Sequence, residues 1–527
     1  MVRKSGSVLS ILLIVLAIVG LSRPCRAAAE IDLLTKYFDF LVGGNYESAA
    51  YLWDEASQER ANRFGIEYTG IPLKADCGSP VVRNLAVMRN FLQPPARMSE
   101  RLTPSDYMRL EYSQVVNSQE VRHDYYVRMD GGYYWFIYPQ DYYCRDYKTI
   151  TSKYFRVHYA SESKGYLHPA TLAEADYFVD RIVDSLHIGA DGRSLLELKK
   201  IDYFYVASDS IVKLMVGFQV QGTYDLASDD IISATFPHYH ELTHFLVNYS
   251  LKSLPLYTLP VFREGIAVTY GGRWGKAAAP LFELGKFLYD QQITEVDSIL
   301  TMSGFEGLSG SDIAYPIAGA FCAYLLDHVG SEKFWQVYRG CSGDIDSLSS
   351  LSPAEIQGRI IGVTGDSSWS QLHSGFVAYL KNLESKRTLL PGLVDGGKNI
   401  AQIGSALVAE SGEWITVDVS LADTAGSAAS LFFGKDKKLS AGKSSLFETQ
   451  FKDGAPFEGY HWALRVDRNE AGIYDYVGNQ LTAKYIYAMA PDSTYFGNDG
   501  KTVHVRFQRS LIGGKSPTSA DMKFLNK

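Results

Sequence analysis

Leu33, Leu34, Tyr37, Phe38 and Leu41 recur at helical spacing, which predicts helix over residues 31–63, broken at Gly43-Gly44-Asn45 before YESAAYLWDEA starts another. The period then changes. YMRLEYSQVV, VRHDYYVRM and GYYWFIY alternate apolar and polar positions as antiparallel strands do, with Asp130-Gly131-Gly132 as a hairpin turn. A second unit begins near Thr151 with the strand KYFRVHYA, the amphipathic helix ATLAEADYFVDRIVDSL and the strand KKIDYFYVA. GFQVQGTYDLASDDIISATF gives two short strands around a Ser-Asp-Asp turn, and Pro237 suits the first turn of a following helix. From Pro260 to about Leu390 the pattern is almost wholly helical. LPGLVDGGKNI, at 390–400, is a Gly-rich joint, after which WITVDVSL, YHWALRVD, KYIYAMA and TVHVRFQ read as strands of a β-sandwich.

This order predicts a multidomain α+β chain: an N-terminal α+β domain over 30–148, a central domain over 149–390 with a mainly helical C-terminal lobe, and a β-sandwich over 400–527. Residues 1–29 read as an export signal. Arg3 and Lys4 precede the apolar run Val8 to Leu21, which is too short for a comfortable membrane span, and Ala27-Ala28-Ala29 supplies the small residues of a cleavage site. An uncleaved N-terminal anchor is the alternative. Cys25 follows Ser22-Arg23-Pro24, which is not a lipid-attachment motif. The signal makes the expected location periplasmic or extracellular; no later segment is apolar and long enough to span a membrane, so no span is expected after cleavage. Removing the four basic residues of the signal takes the net charge from −8 to −12, which disfavours nucleic acid and anionic lipid as partners.

Cys77, Cys144, Cys322 and Cys341 remain after cleavage. Export makes pairing plausible, and sequence order suggests Cys77–Cys144. Cys322 falls in a helical apolar pattern and reads as a buried free thiol. The absence of a C-x-x-C pair argues against a cysteine metal knuckle.

The candidate chemistry lies in HYHELTHFLVNY, residues 238–249. His240 and His244 are one turn apart and differ by about 40° in azimuth on a helix, so both imidazoles leave one face. Glu241 stands about 100° round, where it reaches a water bound to a shared metal. A hydrolytic zinc site needs a third protein ligand and an open position. A third His six residues after His244 is absent, because position 250 is Ser. Glu264 lies 20 residues after His244 in LPVFREGIAVTYGG, where Pro260 starts and Gly271-Gly272 ends a second helix.

HELTH with this downstream glutamate resembles the gluzincins, the thermolysin-like branch of the zincin metallopeptidases. HELTHFLVNY is similar to the thermolysin active-site helix, and REGIAVTYGG to the E-G-x-A-x-Y segment of aminopeptidase-like and bacterial peptidase-MA-like members. AYPIAGAFCAYLLDHVGSEKFWQVY resembles the helix that such bacterial members carry next. The resemblance spans about residues 150–390. It implies Zn²⁺ held by His240, His244 and Glu264, with Glu241 as general base in the hydrolysis of a peptide or protein substrate. Tyr315, in DIAYPIAGAF, is the candidate second electrophile for the oxyanion; its alternative reading is a tyrosine packed at a helix entry before Pro316. The helices and aromatic strands of the N-terminal domain resemble the cystatin-like cone of the nuclear-transport-factor-like superfamily.

Two departures stand out. Val268 occupies the position, four after the glutamate, where thermolysin-type enzymes carry an Asp that orients a ligand His, so Asn248, Thr269 or a backbone carbonyl is expected to do so. The Gly-x-Met-Glu-Asn segment of aminopeptidase-type members is missing, which weakens an exopeptidase reading. GTYDLAS or DIISATF is the expected edge strand for an extended substrate. His238, roughly 200° from His240 on a helix, is expected to point away. His158, His168, His187, His328 and His373 lack ligand spacing, and Arg263 reads as a salt-bridge partner. An inactive zincin-like protein that binds peptides or cell-surface polymers, and a structural envelope protein with an incidental HELTH helix, are the rival readings.

Overall fold

The computed structural model describes residues 32–83, 96–102, 106–116, 119–161, 167, 169–274, 278–309 and 313–383, together with strand segments between residues 403 and 524. The expected export signal, the joint at 390–400 and the strand KYIYAMA lie outside these residues.

The chain is mixed α and β, with several small sheets. Helix α1 covers residues 32–42. It is followed by α2 (Tyr46–Ala50) and α3 (Glu55–Asn62), whose N-termini are capped by the Asn45 and Asp54 side chains. The single helix expected after Gly44 is thus two, because Asp54 caps a new start with its carboxylate on the Ser57 N–H at 2.8 Å. β1 (Glu67–Thr69) and α4 (Pro80–Arg83) lead to an antiparallel sheet of β2 (Ala96–Leu102), β3 (Tyr107–Val116), β4 (Gln119–Asp130) and β5 (Tyr133–Ile137). Tyr37 and Phe38 of α1 pack on Tyr112, Tyr125 and Phe136 of this sheet.

Helix α5 (Pro139–Tyr143) leads into a second sheet, ordered β6 (Lys148–Thr151), β7 (Phe155–Tyr159), β8 (Ile201–Tyr205), β10 (Asp230–Ser233), β9 (Gly222–Asp225). The central pairs β7–β8 and β8–β10 are parallel, and β9 is an antiparallel edge. Between these strands run α6 (Pro169–Ser185), α7 (Ala190–Lys199) and α8 (Asp209–Val216). Then come α9 (Tyr239–Leu251), β11 (Ser253–Pro255), β12 (Tyr257–Thr258), α10 (Pro260–Gly271), α11 (Ala278–Asp290), α12 (Met302–Ser309) and the long α13 (Ala314–Gly340), broken in direction at Gly330. The pair β12–β13 (Ser342–Gly343) precedes α14 (Ile345–Ser349), α15 (Pro353–Thr364) and α16 (Trp369–Asn382). Beyond 402 the described strands form two larger antiparallel sheets, one containing Trp414–Leu421 and Thr502–Gln508, the other Tyr460–Asp467. Among the described residues no helix is long and apolar enough to cross a membrane.

One apolar core runs from Leu34 to Leu380, so the N-terminal helices and sheet share an interior with the helices that follow. β1 pairs in parallel with β11, directly after α9. Helix α3 turns Arg60 and Arg63 onto the fully buried turn Ser228-Asp229-Asp230 between β9 and β10. Arg63 bonds Asp202 and reaches Asp230 at 2.9 Å, while Lys74 meets Asp229 at 2.5 Å. Buried carboxylates persist only when paired, and here each has a cation from the N-terminal segment. The edge hairpin is thereby anchored to that segment.

The suggested Cys77–Cys144 bond is not formed: all four described cysteines are free and buried. Cys77 belongs to the main core, whereas Cys144 packs with Phe204, Val206 and Ile232 in a separate cluster. Cys322 is buried in α13, as its apolar setting implied.

Candidate metal centre

Pro260, at the first turn of α10, starts that helix at an angle that carries Glu264 back against α9. Close approach is set by glycines. A Cβ on Gly265 would lie 2.6 Å from the Ala318 carbonyl of α13, and one on Gly271 only 2.5 Å from the Tyr239 carbonyl of α9. The two helix faces so joined bring His240, His244 and Glu264 together. One carboxylate oxygen, Glu264 Oε2, lies 3.1 Å from His240 Nε2 and 3.4 Å from His244 Nε2. The two imidazoles stand nearly perpendicular, at 86°, with centroids 4.9 Å apart.

His240 Nδ1 is 2.9 Å from the Gly272 carbonyl, which can only accept. The ring therefore carries a proton on Nδ1, and a neutral His240 presents a bare Nε2 lone pair to the Glu264 oxygen. Two lone pairs facing each other in a buried site call for a cation between them or a proton on the ring. The donor set fits a metal ion: imidazole nitrogens and a carboxylate oxygen converge, and the far side of His240 is fixed by a carbonyl. The donor atoms of His240, Glu241 and His244 also lie within 4.8 Å of one another. The shared Glu264 oxygen marks the closer convergence, and Glu241 is turned to another partner.

That partner is the edge strand. The Tyr224 N–H donates to Glu241 Oε2 at 2.9 Å. The β9–β10 register turns alternate backbone groups of β9 outward, and Tyr224 is one of them. Of the two segments named as edge-strand candidates, GTYDLAS forms the edge and DIISATF lies inside the sheet.

The two carboxyls are pushed in opposite directions. Burial raises Glu241 above the ordinary carboxylate range, and the Glu264 charge adds to this against the lowering effect of His240. Burial also acts on Glu264, but the His244 and Arg263 charges and the two histidine contacts outweigh it and hold its carboxyl well below the usual range. Arg263 Nε donates to Glu264 Oε1 at 2.8 Å, which leaves Oε2 for the histidines. Two carboxyls so separated suit two tasks, one permanently ionised and one able to carry a proton.

The cleft that holds these groups measures about 580 Å³, and its lining also includes His238, Tyr315, Tyr338 and Arg273. Tyr315 lies in the first turn of α13, its ring 6.2 Å from that of His240. His238 does not point away. It occupies the N-cap of α9 with φ −108° and ψ 87°, so helical azimuths do not apply to it. Burial and the charges of His240, Arg273 and His244 push it down to about 3. Pro237 correspondingly precedes the cap rather than entering the first turn. The carbonyl option for orienting His240 holds, through Gly272. Thr269 instead bonds the Gly265 and Gly319 carbonyls, and Asn248 bonds Tyr68. Val268 packs against Gly319 of α13, where a Cβ would collide with it, so this position makes an apolar helix contact.

Sequence reasoning missed Arg273, Tyr338, the Gly272 carbonyl and the Tyr224 N–H. The Gly-Gly that ends α10 signalled a helix stop, but a backbone group's direction has no residue signature. Of the other histidines, His158 bonds Asp202 at 2.7 Å and His328 bonds Asp366 at 3.2 Å; the His168 side chain lies outside the described residues. His373 joins Glu295 and Asp297 in a second group that could hold a metal, away from the cleft lining. No known family model matches the chain, and no curated protein matches it.

Proposed function

We propose that this chain is an exported zinc-dependent peptidase of gluzincin type. The observation that carries the reading is the single Glu264 oxygen held between His240 Nε2 and His244 Nε2 at 3.1 and 3.4 Å. Tetrahedral zinc with bonds of about 2.0–2.1 Å sets its donors about 3.3 Å apart, so both separations suit that ion. Zinc, when bound, supplies Lewis-acid polarisation of a carbonyl and acidifies water near neutral pH.

The chain's own groups then do the rest. Glu241, buried and raised, takes the proton of the attacking water and delivers it to the leaving amine. The Tyr224 N–H holds this carboxylate at the cleft wall. The β9 edge accepts an extended peptide backbone, which places the scissile carbonyl over the site. Tyr315 donates to the oxyanion that develops there. A peptide-library digestion by the full chain, with Glu241→Gln as control, tests the reading. Cleavage by the native protein and its loss in Glu241→Gln, at unchanged zinc content, are expected; equal cleavage by both proteins would refute it.

A further inference from the structure

The turn that ends α10 runs Gly271-Gly272-Arg273, and each residue meets a different part of the site. Gly271 lies against the Tyr239 carbonyl and Thr243 Oγ1 of α9, with no space for a Cβ. Gly272, with φ +69°, turns its carbonyl to His240 Nδ1 at 2.9 Å. Arg273 lays its guanidinium over the ring of Tyr315, 3.4 Å from the centroid. Phe305 also packs against that ring, its centroid 5.3 Å away in an edge-on arrangement. Both Arg273 and Tyr315 line the cleft.

We infer that Arg273 is a positioning residue for Tyr315, fixing the phenol in the cleft wall beside His240. The inference rests on the peptidase reading of the same site. The separation is that of a planar stack, which a guanidinium can make and an ammonium cannot. A ring packed against two neighbours loses rotamer freedom before substrate arrives, and a donor to a developing oxyanion is effective to the extent that it is already in place. The cation over the ring also strengthens the hydroxyl as a donor. One turn thus aligns the imidazole face through Gly272 and the phenol through Arg273, and registers them with each other.

The test is a double-mutant cycle in the full chain with Arg273→Leu, Arg273→Lys, Tyr315→Phe and the Arg273→Leu/Tyr315→Phe pair. Each protein is assayed for kcat and KM on a peptide cleaved in the library digestion, for zinc content, and for calorimetric affinity for the matching phosphinic peptide, a tetrahedral analogue. Tyr315→Phe is expected to lower kcat by about 10²-fold, the scale of one oxyanion donor. Arg273→Leu should lower kcat by about tenfold or more with KM within about threefold, Arg273→Lys should recover part of the loss, and the double variant should match Tyr315→Phe. Phosphinic-peptide affinity should follow the same order at unchanged zinc content. Losses that multiply in the double variant, a change in KM alone, or zinc loss in Arg273→Leu would overturn the inference. An inert Arg273→Leu in an enzyme that Glu241→Gln silences sinks only this inference, whereas full activity of Glu241→Gln sinks the peptidase reading itself.

Discussion

Gly271→Ala adds one methyl group outside the candidate ligand set and is expected to weaken metal binding. The new Cβ falls 2.5 Å from the Tyr239 carbonyl oxygen and 2.6 Å from Thr243 Oγ1. The carbonyl belongs to α9 and cannot swing aside, so α10 must retreat by about 0.9 Å or more to reach an ordinary contact near 3.4 Å. A shift of that size takes the Gly272 carbonyl from 2.9 Å to about 3.8 Å from His240 Nδ1, beyond hydrogen-bond range. It also draws Glu264 off both histidines. Loss of the partner that orients a ligand histidine lowers metal affinity by about 10–100-fold. Stability changes less: overpacking costs about 1–3 kcal/mol, and helix propensity returns up to about 1 kcal/mol on replacing Gly by Ala. The assay is zinc competition against a chelator of known affinity, with a thermal melt alongside. Native zinc affinity in a folded Gly271→Ala protein would refute the claim that this contact sets the spacing of the two site helices.

Gly358→Ala and Gly362→Ala, on α15 with open space at each Cβ position, should each raise stability by about 0.5–1 kcal/mol in denaturant titrations and leave zinc untouched. Arg63→Met takes one cation from the buried Asp202 and Asp230 carboxylates, leaving Asp202 to His158 and Arg156 and Asp230 to Arg60, and should cost about 1.5–3 kcal/mol of unfolding free energy; a cost below about 1 kcal/mol would mean that Arg63 is not holding the edge hairpin. Burial raises Asp76 to about 7 against the lowering effect of the Tyr37 and Tyr125 hydroxyls. With the folded value above the unfolded one, about 3.9, its stabilising contribution is complete at low pH and is lost as pH rises through about 7, a total on the order of 4 kcal/mol. The melting temperature of Asp76→Asn minus that of the native protein should therefore grow between pH 4 and 7 and level off above, and a pH-independent difference would contradict it.

Local patterns were legible where a single rule governed them. Strict alternation identified Tyr107–Val116, Trp414–Leu421, Tyr460–Asp467 and Thr502–Gln508 as strands with those limits. The one-turn spacing of His240 and His244, with Pro260 and the Gly pair framing Glu264, was enough to single out the three side chains that meet. What the sequence hid was set by tertiary contact. His238 escaped because a cap residue does not follow the helical azimuth. The Cys77–Cys144 pairing failed because order along the chain says nothing about which cluster each thiol packs into. The orienting carbonyl of Gly272 is a backbone group, and the stack of Arg273 on Tyr315 joins residues 42 apart in sequence. The N-terminal segment's grip on the β9–β10 turn, through Arg60, Arg63 and Lys74, likewise depends on a long-range docking that no local period encodes.

The central claim, a zinc ion held by His240, His244 and Glu264 with Glu241 beside it, is tested most directly by metal content. Elemental analysis of the native chain, Glu241→Gln and Glu264→Ala, purified in parallel, is the measurement. The account predicts about one zinc per chain in the first two and little in the third, because Glu264 shares its oxygen with both histidines while Glu241 is turned to the Tyr224 N–H. Equal zinc in all three proteins would remove Glu264 from the ligand set, and loss of zinc in Glu241→Gln would contradict the role given to Glu241.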